Sequence, residues 1–155
     1  MICTDGAEDG DKVGVGGVLA LAGRREYFAG VAKGWIVERW KATSGRVKVI
    51  HQAELFPTVF ALQIWERMLR GRRVLLFVDN EAARAELVKG ATSSAASAEL
   101  VTEFWSLAAR AVVAVWVDRV PSRSNPADGP SRGLPVAGAT RRLTGHTGLQ
   151  EEEGR

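Results

Sequence analysis

The pattern of hydrophobic and polar residues divides the first third of the chain into three apolar segments separated by turns that contain glycine. The segments are MICTDGA, VGVGGVLALAG and REYFAGVAKGW, with an acidic loop between the first two. Short apolar segments bounded by glycine are typical of strands. Because their connections are short, we predict an antiparallel meander, with residues Lys41 to Lys48 as the loop that leaves it.

A helical spacing of apolar residues follows from about Gln52 to Arg70 and predicts the longest helix of the chain. Pro57 lies inside this segment. Because proline has no amide hydrogen, it is well tolerated only in the first turn of a helix. We therefore expect Glu54 to lie near the beginning of this helix.

The second half of the chain alternates between strand and helix patterns. RRVLLFVD predicts a strand covered on both faces, NEAARAELVKG a helix that ends at Gly90, AELVTEFWSLAARA a further helix, and VVAVWVDRV a final strand. Strands joined by helical crossovers are parallel. The sequence therefore predicts an α/β fold with a mixed five-stranded sheet, three antiparallel strands followed by two parallel ones, and helices on both faces.

The composition changes towards the C-terminus. PSRSNPADGPSRG is dense in turn residues, and TRRLTGHTGLQEEEGR has no apolar periodicity. We therefore predict a single domain over residues 1–133 and a flexible tail over residues 134–155.

Cysteine content and hydropathy narrow the classes of protein. Cys3 is the only cysteine, which excludes an internal disulfide and a cysteine-rich zinc site and fits a reducing compartment. No apolar run approaches the roughly 20 residues that span a bilayer, and the N-terminus lacks the features of a signal peptide. We expect a soluble intracellular protein, in the cytoplasm or the nucleus.

The charges are unevenly distributed, although the net charge is only +3. Residues 1–11 carry four acidic residues and no basic one, whereas residues 24–48 carry seven basic residues and two acidic ones. This pattern suits a polyanion that binds a basic surface beside a local acidic cluster. The charges alone fit a solvated hairpin face equally well.

Four acidic residues stand at the ends of the predicted elements. Asp5 ends the first strand in CTDG, Glu54 lies at the start of the long helix in QAEL, Asp79 ends the fourth strand in FVDN, and Asp128 follows the fifth strand in NPAD. Ligands of such sheets collect at the carboxyl ends of the parallel strands. Asp5 and Asp79 stand at such ends, so we take them, together with Glu54 and Asp128, as candidate functional residues.

Each of these acids also has a purely structural explanation. Asp5 can start an Asp-Gly turn, and Glu54 can be a first-turn acid that the helix dipole favours. Asp79 or Asn80 can cap the following helix, and Asp128 fits a variant of the capping box that NPAD would form. These explanations suffice one by one, but together they do not explain why all four acids lie at one end of the sheet.

The four motifs and their order resemble the ribonuclease H superfamily over about Ile2 to Gly133. The resemblance is closest to the ribonuclease H domains attached to retroelement and pararetrovirus reverse transcriptases, where endings like VPSRSNPADGPSR occur. It implies an endonuclease that cuts the RNA strand of RNA/DNA hybrids and leaves 5′-phosphate and 3′-hydroxyl ends. A polymerase domain, in cis or in trans, is the implied partner.

The resemblance also implies a cofactor and the role of each acid. Hard divalent cations such as Mg²⁺ bind oxygen ligands and share coordination with a phosphate, and Mn²⁺ is the expected substitute. Two ions roughly 4 Å apart would activate water and stabilise the leaving oxygen. In this assignment Asp5 bridges both ions, Glu54 and Asp79 bind one ion, and Asp128 binds the second.

Contacts with the nucleic acid are predicted from position alone. Gly6 would allow a phosphate to approach the backbone closely, and polar residues near the acids are further candidates. They are Asn80, Ser122, Arg123, Ser124 and Asn125.

Two of the five tryptophans are further candidates for substrate contact. Trp65, Trp105 and Trp116 are expected to pack in the core, whereas Trp35 and Trp40 lie beside the basic stretch, where stacking on a sugar or a base is the alternative to core packing.

Two departures from the family keep other functions open. Many cellular ribonucleases H carry a histidine in the loop after the fifth strand, but this loop is PSRSN, and the basic projection that grips the hybrid corresponds to the nearly uncharged VKGATSSAASAEL. A catalytically silent hybrid-binding or scaffold domain is one alternative. A structure-selective DNA nuclease is another, although such exonucleases usually have an acid at the position of Ala7.

Asp118, the two histidines and Met1 lie outside the four motifs. Asp118 precedes Asp128 by ten residues and is the rival for the fourth ligand, but the motif around Asp128 fits better. His51 and His146 are expected to be ordinary surface or loop residues. Because Met1 stands four residues before Asp5, we expect either a stand-alone gene product or one domain of a polyprotein.

Overall fold

The computed structural model describes residues 1–142 and 149–150, and every structural statement below concerns these residues. The first half contains β1 (Ile2–Asp9), β2 (Lys12–Leu21), β3 (Arg24–Ala32), α1 (Gly34–Ser44), α2 (Ile50–Ile64) and α3 (Glu66–Leu69). The second half contains β4 (Arg73–Val78), α4 (Glu81–Lys89), α5 (Ala95–Arg110), β5 (Ala114–Arg119), a one-turn 3₁₀ helix (Ser122–Ser124), α6 (Asp128–Ser131), β6 (Thr140–Arg141) and β7 (Leu149–Gln150).

The strands form one mixed sheet in the order β5-β4-β1-β2-β3-β6, with β7 also paired to β3. Strands β1 to β3 are an antiparallel meander, and β4 pairs in parallel with both β1 and β5. The predicted α/β fold and mixed sheet are confirmed. Among the described residues, the sheet has seven strands and not the predicted five. The two additional strands, β6 and β7, have two residues each and pair with the outer edge of β3.

The sheet has two different faces. Helices α1, α2, α4 and α5 cover one face, where alternate strand residues such as Ile2, Val15 and Leu76 are buried with the helices' apolar side chains. On the opposite face, Cys3 of β1 packs with Ala127, just ahead of α6. This second face is covered over β1 to β3 and open over β4 and β5.

The open half of that face corrects two predictions. Leu75 of β4 is 50% exposed and Trp116 of β5 is 69% exposed, and the two residues are paired across the strands. The prediction that β4 is covered on both faces was therefore wrong, and so was core packing for Trp116. Trp65 is buried, and partly buried Trp105 packs against the core, as predicted.

Helix α1 was not predicted, because its sequence was assigned to the end of a strand and to a loop. Ile36, Val37 and Trp40 have helical spacing and are buried, and the Trp40 ring contacts Phe56 with the ring centroids 5.3 Å apart. Trp40 is therefore a core residue and not a stacking residue, whereas Trp35 is exposed. Gly45 ends the helix in the left-handed conformation.

Pro57 is the eighth residue of α2 and not a first-turn residue, because this helix begins at Ile50. Proline has no amide hydrogen to offer the carbonyl of Ala53, four residues earlier. That carbonyl faces Gly6 of β1 so closely that a β-carbon on Gly6 would lie 1.9 Å from its oxygen. The glycine therefore allows α2 to lie directly against β1.

The basic stretch is not a hairpin face, because it is divided between β3, α1 and the loop before α2. Two of its charges pair with acids from other parts of the chain. Arg39 bonds Glu99, and Lys41 bonds Asp11 at 3.3 Å. The separation of charge along the sequence is thus partly neutralised in the folded chain.

Two predictions concern the C-terminal part and the membrane. Among the described residues, no helix combines the length and the apolar character that crossing a membrane requires. Residues Thr140–Arg141 pair with β3, while His146 lies outside the described residues. The domain boundary at residue 133 and the flexible tail stay predictions.

Candidate active site

Asp5 lies in the middle of β1, where it is paired with Gly16 of β2 and is 4% exposed. Because β1 continues to Asp9, Asp5 and Gly6 do not start a turn, and the Asp-Gly turn explanation is wrong. The strand instead holds the Asp5 carboxylate in a buried position on the face that α6 covers.

Glu54 lies one turn inside α2, so the explanation as a first-turn acid is also wrong. Its side chain is buried, and its Oε2 atom has no hydrogen-bond partner among the described residues. A buried carboxylate oxygen without a donor is costly unless the group binds a proton or a cation. His51 lies three residues earlier on the same helix and is partly buried.

Asp79 follows the last residue of β4. The cap of α4 is Asn80, whose side-chain oxygen accepts a hydrogen bond from the amide of Ala83 at 3.0 Å. The backbone carbonyl of Asp79 accepts a bond from Arg119 at 3.1 Å. The side chain of Asp79 is thus not the helix cap, and its carboxylate is available for another role.

Asp5, Glu54 and Asp79 form the acidic cluster, in which one carboxylate oxygen from each residue lies within 4.8 Å of the others. Three different elements supply these groups: the middle of β1, the second turn of α2 and the end of β4. Because β1 and β4 are parallel neighbours and α2 packs on β1, the fold brings these residues together.

Burial and mutual repulsion dominate the electrostatics of this cluster. Burial and the nearby Asp79 and Asp128 raise the pKa of Asp5 to about 6, against a lowering by the hydrogen bond from Ser131 and by Arg132. Burial, then Asp79 and Asp5, raise the pKa of Glu54 to about 8, against a hydrogen bond from the Gly6 backbone.

These carboxylates fit a divalent cation. Oxygen donors are the ligands that Mg²⁺ and Mn²⁺ prefer, and a cation would offset the repulsion that raises both pKa values. The Oε2 atom of Glu54 has no hydrogen-bond partner among the described residues, which favours a bound cation over a purely structural network of hydrogen bonds.

Asp128 is near this cluster but not part of it. It is the first residue of α6, its side chain is 45% exposed, and Arg132 contacts its Oδ1 at 3.3 Å. The predicted capping box is absent, because the cap position is Ala127 and carries no side-chain bond. Asn125 instead accepts a bond from the amide of Ala127 at 3.1 Å.

The segment of residues 125–132 lies on the sheet through very close backbone contacts. A β-carbon on Gly14 would lie 1.9 Å from the carbonyl oxygen of Ser131, and one on Gly16 would lie 2.4 Å from the Ser131 nitrogen. Asn125 donates to the carbonyl of Thr4 at 3.0 Å. Sequence reasoning missed the role of both glycines, although alternate glycines in a strand often mark such an approach.

The predicted nucleic-acid contacts differ in their availability. Ser122, Arg123 and Ser124 are exposed in the 3₁₀ helix. Three other candidates are engaged within the fold: Gly6 against α2, Asn80 as the cap of α4, and Asn125, which is buried against β1. Their roles in binding stay predictions.

Asp118, the rival for the fourth ligand, is an exposed residue of β5. Its Oδ1 accepts a hydrogen bond from the amide of the next residue, Arg119, at 2.7 Å. Within the described part of the chain, it does not join the acidic cluster.

Two solved structures that superpose on this chain are a ribonuclease H and a ribonuclease H domain. The ribonuclease H1 of the halophilic archaeon Halobacterium salinarum NRC-1 superposes with a TM-score of 0.62 at 17% identity, over 83% of this chain and 91% of that chain. The present chain has the ribonuclease H fold. The N-terminal ribonuclease H domain of Rv2228c from Mycobacterium tuberculosis was solved as a fusion with maltose-binding protein. It superposes with a TM-score of 0.60 at 15% identity, over 85% of this chain and 91% of that chain. No protein-family model and no curated protein matches the sequence.

Proposed function

We propose that the protein is a ribonuclease H, a metal-dependent endonuclease that hydrolyses the RNA strand of RNA/DNA hybrids. The observation that carries this proposal is the convergence of Asp5, Glu54 and Asp79 in a chain with the ribonuclease H fold. The fold alone is compatible with binding, whereas three mutually repelling, partly desolvated carboxylates have a clear use in holding cations beside a phosphate.

In the proposed mechanism, Asp5, Glu54 and Asp79 hold Mg²⁺ or Mn²⁺ at the carboxyl end of β4. The chemistry that two bound ions would supply there is activation of the attacking water and stabilisation of the leaving 3′ oxygen, which would give 5′-phosphate and 3′-hydroxyl products. Asp128 completes the set from α6 when its carboxylate turns away from Arg132. That role fits its partial exposure and its electrostatic effect on Asp5.

The proposed substrate is recognised mainly through its backbone and its 2′-hydroxyl groups, as is usual for proteins that bind RNA helices by shape. The exposed Ser122, Arg123 and Ser124 are candidate contacts beside α6. The segment that corresponds to the basic projection of the family carries few charges, so we also propose that a reverse transcriptase polymerase domain, in cis or in trans, adds affinity. We further propose an intracellular, retroelement-associated role, which rests on the resemblance of the sequence to the ribonuclease H domains of reverse transcriptases.

Cleavage of a labelled RNA/DNA hybrid tests the proposal. The purified chain is incubated with Mg²⁺, Mn²⁺ or a chelator, beside single-stranded RNA and duplex DNA. We expect metal-dependent cutting of the hybrid RNA alone. Equal cutting of duplex DNA contradicts the proposal in favour of a DNA nuclease, and hybrid binding without cutting under either metal favours a catalytically silent binding domain.

A further inference from the structure

We propose that Ser131 is a positioning residue that holds the Asp5 carboxylate for metal binding, an inference that rests on the proposed function. The hydroxyl of Ser131 donates a hydrogen bond to Oδ2 of Asp5, and both residues are buried. Among residues 1–142 and 149–150, no other side chain donates a hydrogen bond to Asp5.

Backbone packing fixes the position of Ser131 on the sheet. The amide of Ser131 donates to the carbonyl of Ala127 at 3.0 Å, and its carbonyl and nitrogen lie directly over Gly14 and Gly16 of β2. The backbone of Ser131 is therefore fixed relative to β1, and from that position its buried hydroxyl reaches Oδ2 of Asp5.

The environment of Asp5 explains why such a donor is useful. Asp5 is buried and lies near two like charges, Asp79 and Asp128. A neutral hydroxyl holds one carboxylate oxygen without adding a positive charge that competes with the cation. Groups that hydrogen-bond a ligand carboxylate orient it and tune its affinity for the metal.

The same hydroxyl has a second hydrogen-bond acceptor within reach at the start of α6. Its oxygen lies 2.8 Å from the backbone carbonyl of Asp128. Because a serine hydroxyl has one hydrogen, its bond to Asp5 and its bond to Asp128 are alternatives. Ser131 therefore donates either to the strand that bears the proposed bridging ligand or to the first residue of the helix that bears the fourth acid.

The test measures Mn²⁺ binding to the purified full chain by calorimetry without nucleic acid, so the readout does not depend on cleavage. Ser131→Ala is expected to weaken Mn²⁺ binding by about 10-fold to 100-fold. Ser131→Thr keeps the hydroxyl and is expected to restore binding. Ser131→Cys keeps the approximate volume but has a poor donor, so its affinity is expected to fall as well.

Ser97→Ala is the matched control, because Ser97 is also a buried serine whose hydroxyl makes a side-chain bond, accepting from Gln52 Nε2 at 2.8 Å. It is expected to lower the melting temperature of the metal-free protein as much as Ser131→Ala does, but to leave Mn²⁺ affinity unchanged. This comparison separates positioning of Asp5 from general loosening of the fold.

Wild-type Mn²⁺ affinity in Ser131→Ala overturns the inference, and so does an equal loss of affinity in Ser97→Ala. If Ser131→Ala does not fold, wild-type affinity in Ser131→Cys overturns it. A wild-type chain that binds Mn²⁺ but leaves the hybrid intact contradicts the proposed function, while weaker binding in Ser131→Ala still supports the positioning of Asp5. A wild-type chain that binds no Mn²⁺ contradicts both.

Discussion

The acidic cluster and Asp128 are held by the fold in two different ways. Asp5, Glu54 and Asp79 come from β1, α2 and β4, which build the core of the molecule, and Asp5 and Glu54 are nearly inaccessible to solvent. Asp128 begins a helix of only four residues, remains about half exposed and is paired with Arg132.

This difference indicates a division between a preformed acidic cluster and an adjustable carboxylate. The cluster is fixed by strand pairing and helix packing, so its repulsion is built into the metal-free fold. Asp128 can exchange its partner by a side-chain rotation, because exposed ion pairs contribute little to stability. We therefore expect the first metal to depend on the cluster, and Asp128 to contribute mainly when substrate and metal are both bound.

The largest expected effect is that of Asp79→Asn. Removing this carboxylate is expected to lower hybrid cleavage by more than about 100-fold, which exceeds the usual effect of losing a group that only hydrogen-bonds a metal ligand. The metal-free protein is expected to stay folded and to melt at the same or a higher temperature, because repulsion with Asp5 and Glu54 is relieved.

Asp118→Asn is the control for that substitution, because Asp118 is an exposed aspartate of β5 outside the cluster. It is expected to cut the hybrid at the wild-type rate. An Asp79→Asn protein that unfolds indicates that the residue serves the structure, and one that cuts normally excludes it as a ligand.

A slightly smaller effect is expected when the seating of α2 on β1 is disturbed. Gly6→Ala places a β-carbon 1.9 Å from the Ala53 carbonyl oxygen, so α2 and Glu54 must move away from Asp5. Overpacking of this kind destabilises by roughly 1–3 kcal/mol, measured by urea unfolding, and we expect Mn²⁺ affinity to fall as well. Gly34→Ala, where nothing lies near the added carbon, is the control and is expected to be nearly neutral.

A smaller effect still is expected for Asp128→Asn. The melting temperature of the metal-free protein and its rise on adding Mg²⁺ are expected to remain close to wild type, because the cluster is intact. Hybrid cleavage is expected to fall, but less than in Asp79→Asn. Loss of the Mg²⁺-dependent rise in melting temperature contradicts the division between the cluster and Asp128.

The stability of the metal-free protein is also expected to depend on pH. The pKa of Glu54 is raised from 4.5 to about 8 and that of Asp5 from 3.8 to about 6, so the folded protein holds these protons more tightly than the unfolded chain. Their contribution to stability is complete at low pH and is lost as pH rises through the raised pKa values, by at most about 1.4 kcal/mol per pH unit for each proton.

The melting temperature of the metal-free protein is therefore expected to carry a downward contribution between about pH 4 and pH 8, the range set by these shifts. Glu54→Gln is expected to reduce this slope, since an amide does not titrate. Mg²⁺ is expected to oppose it, because the cation binds the deprotonated carboxylates. An identical slope in Glu54→Gln and wild type would exclude Glu54 as its source.

The strands and the meeting of Asp5, Glu54 and Asp79 were predictable because the relevant signals are local, whereas Asp128 lies outside this cluster. Strand patterns of apolar residues ended at Asp79, and the long helical pattern contained Glu54. Helix α1 was missed because Ile36, Val37 and Trp40 give a short helical pattern inside a basic stretch. The exposure of Trp116 was not predictable, since VVAVWVDRV is apolar at successive positions and does not show which face another segment covers.

The contacts that complete the site depend on distant parts of the chain. Ser131 and Asp5 are 126 residues apart, and the glycines that admit the Ser131 backbone belong to a third segment. Local patterns do not specify such pairings. Asn125 illustrates the same point, because its NPAD motif suggested a helix cap whereas its amide bonds the Thr4 carbonyl in β1.

The most direct test of the central claim is the location of Mn²⁺ in crystals of the wild-type protein, determined from its anomalous scattering without nucleic acid. The account predicts a manganese peak that is coordinated by carboxylate oxygens of Asp5, Glu54 and Asp79, while Asp128 stays with Arg132. Crystals saturated with Mn²⁺ that show no peak at these three carboxylates, with or without manganese elsewhere, would contradict it.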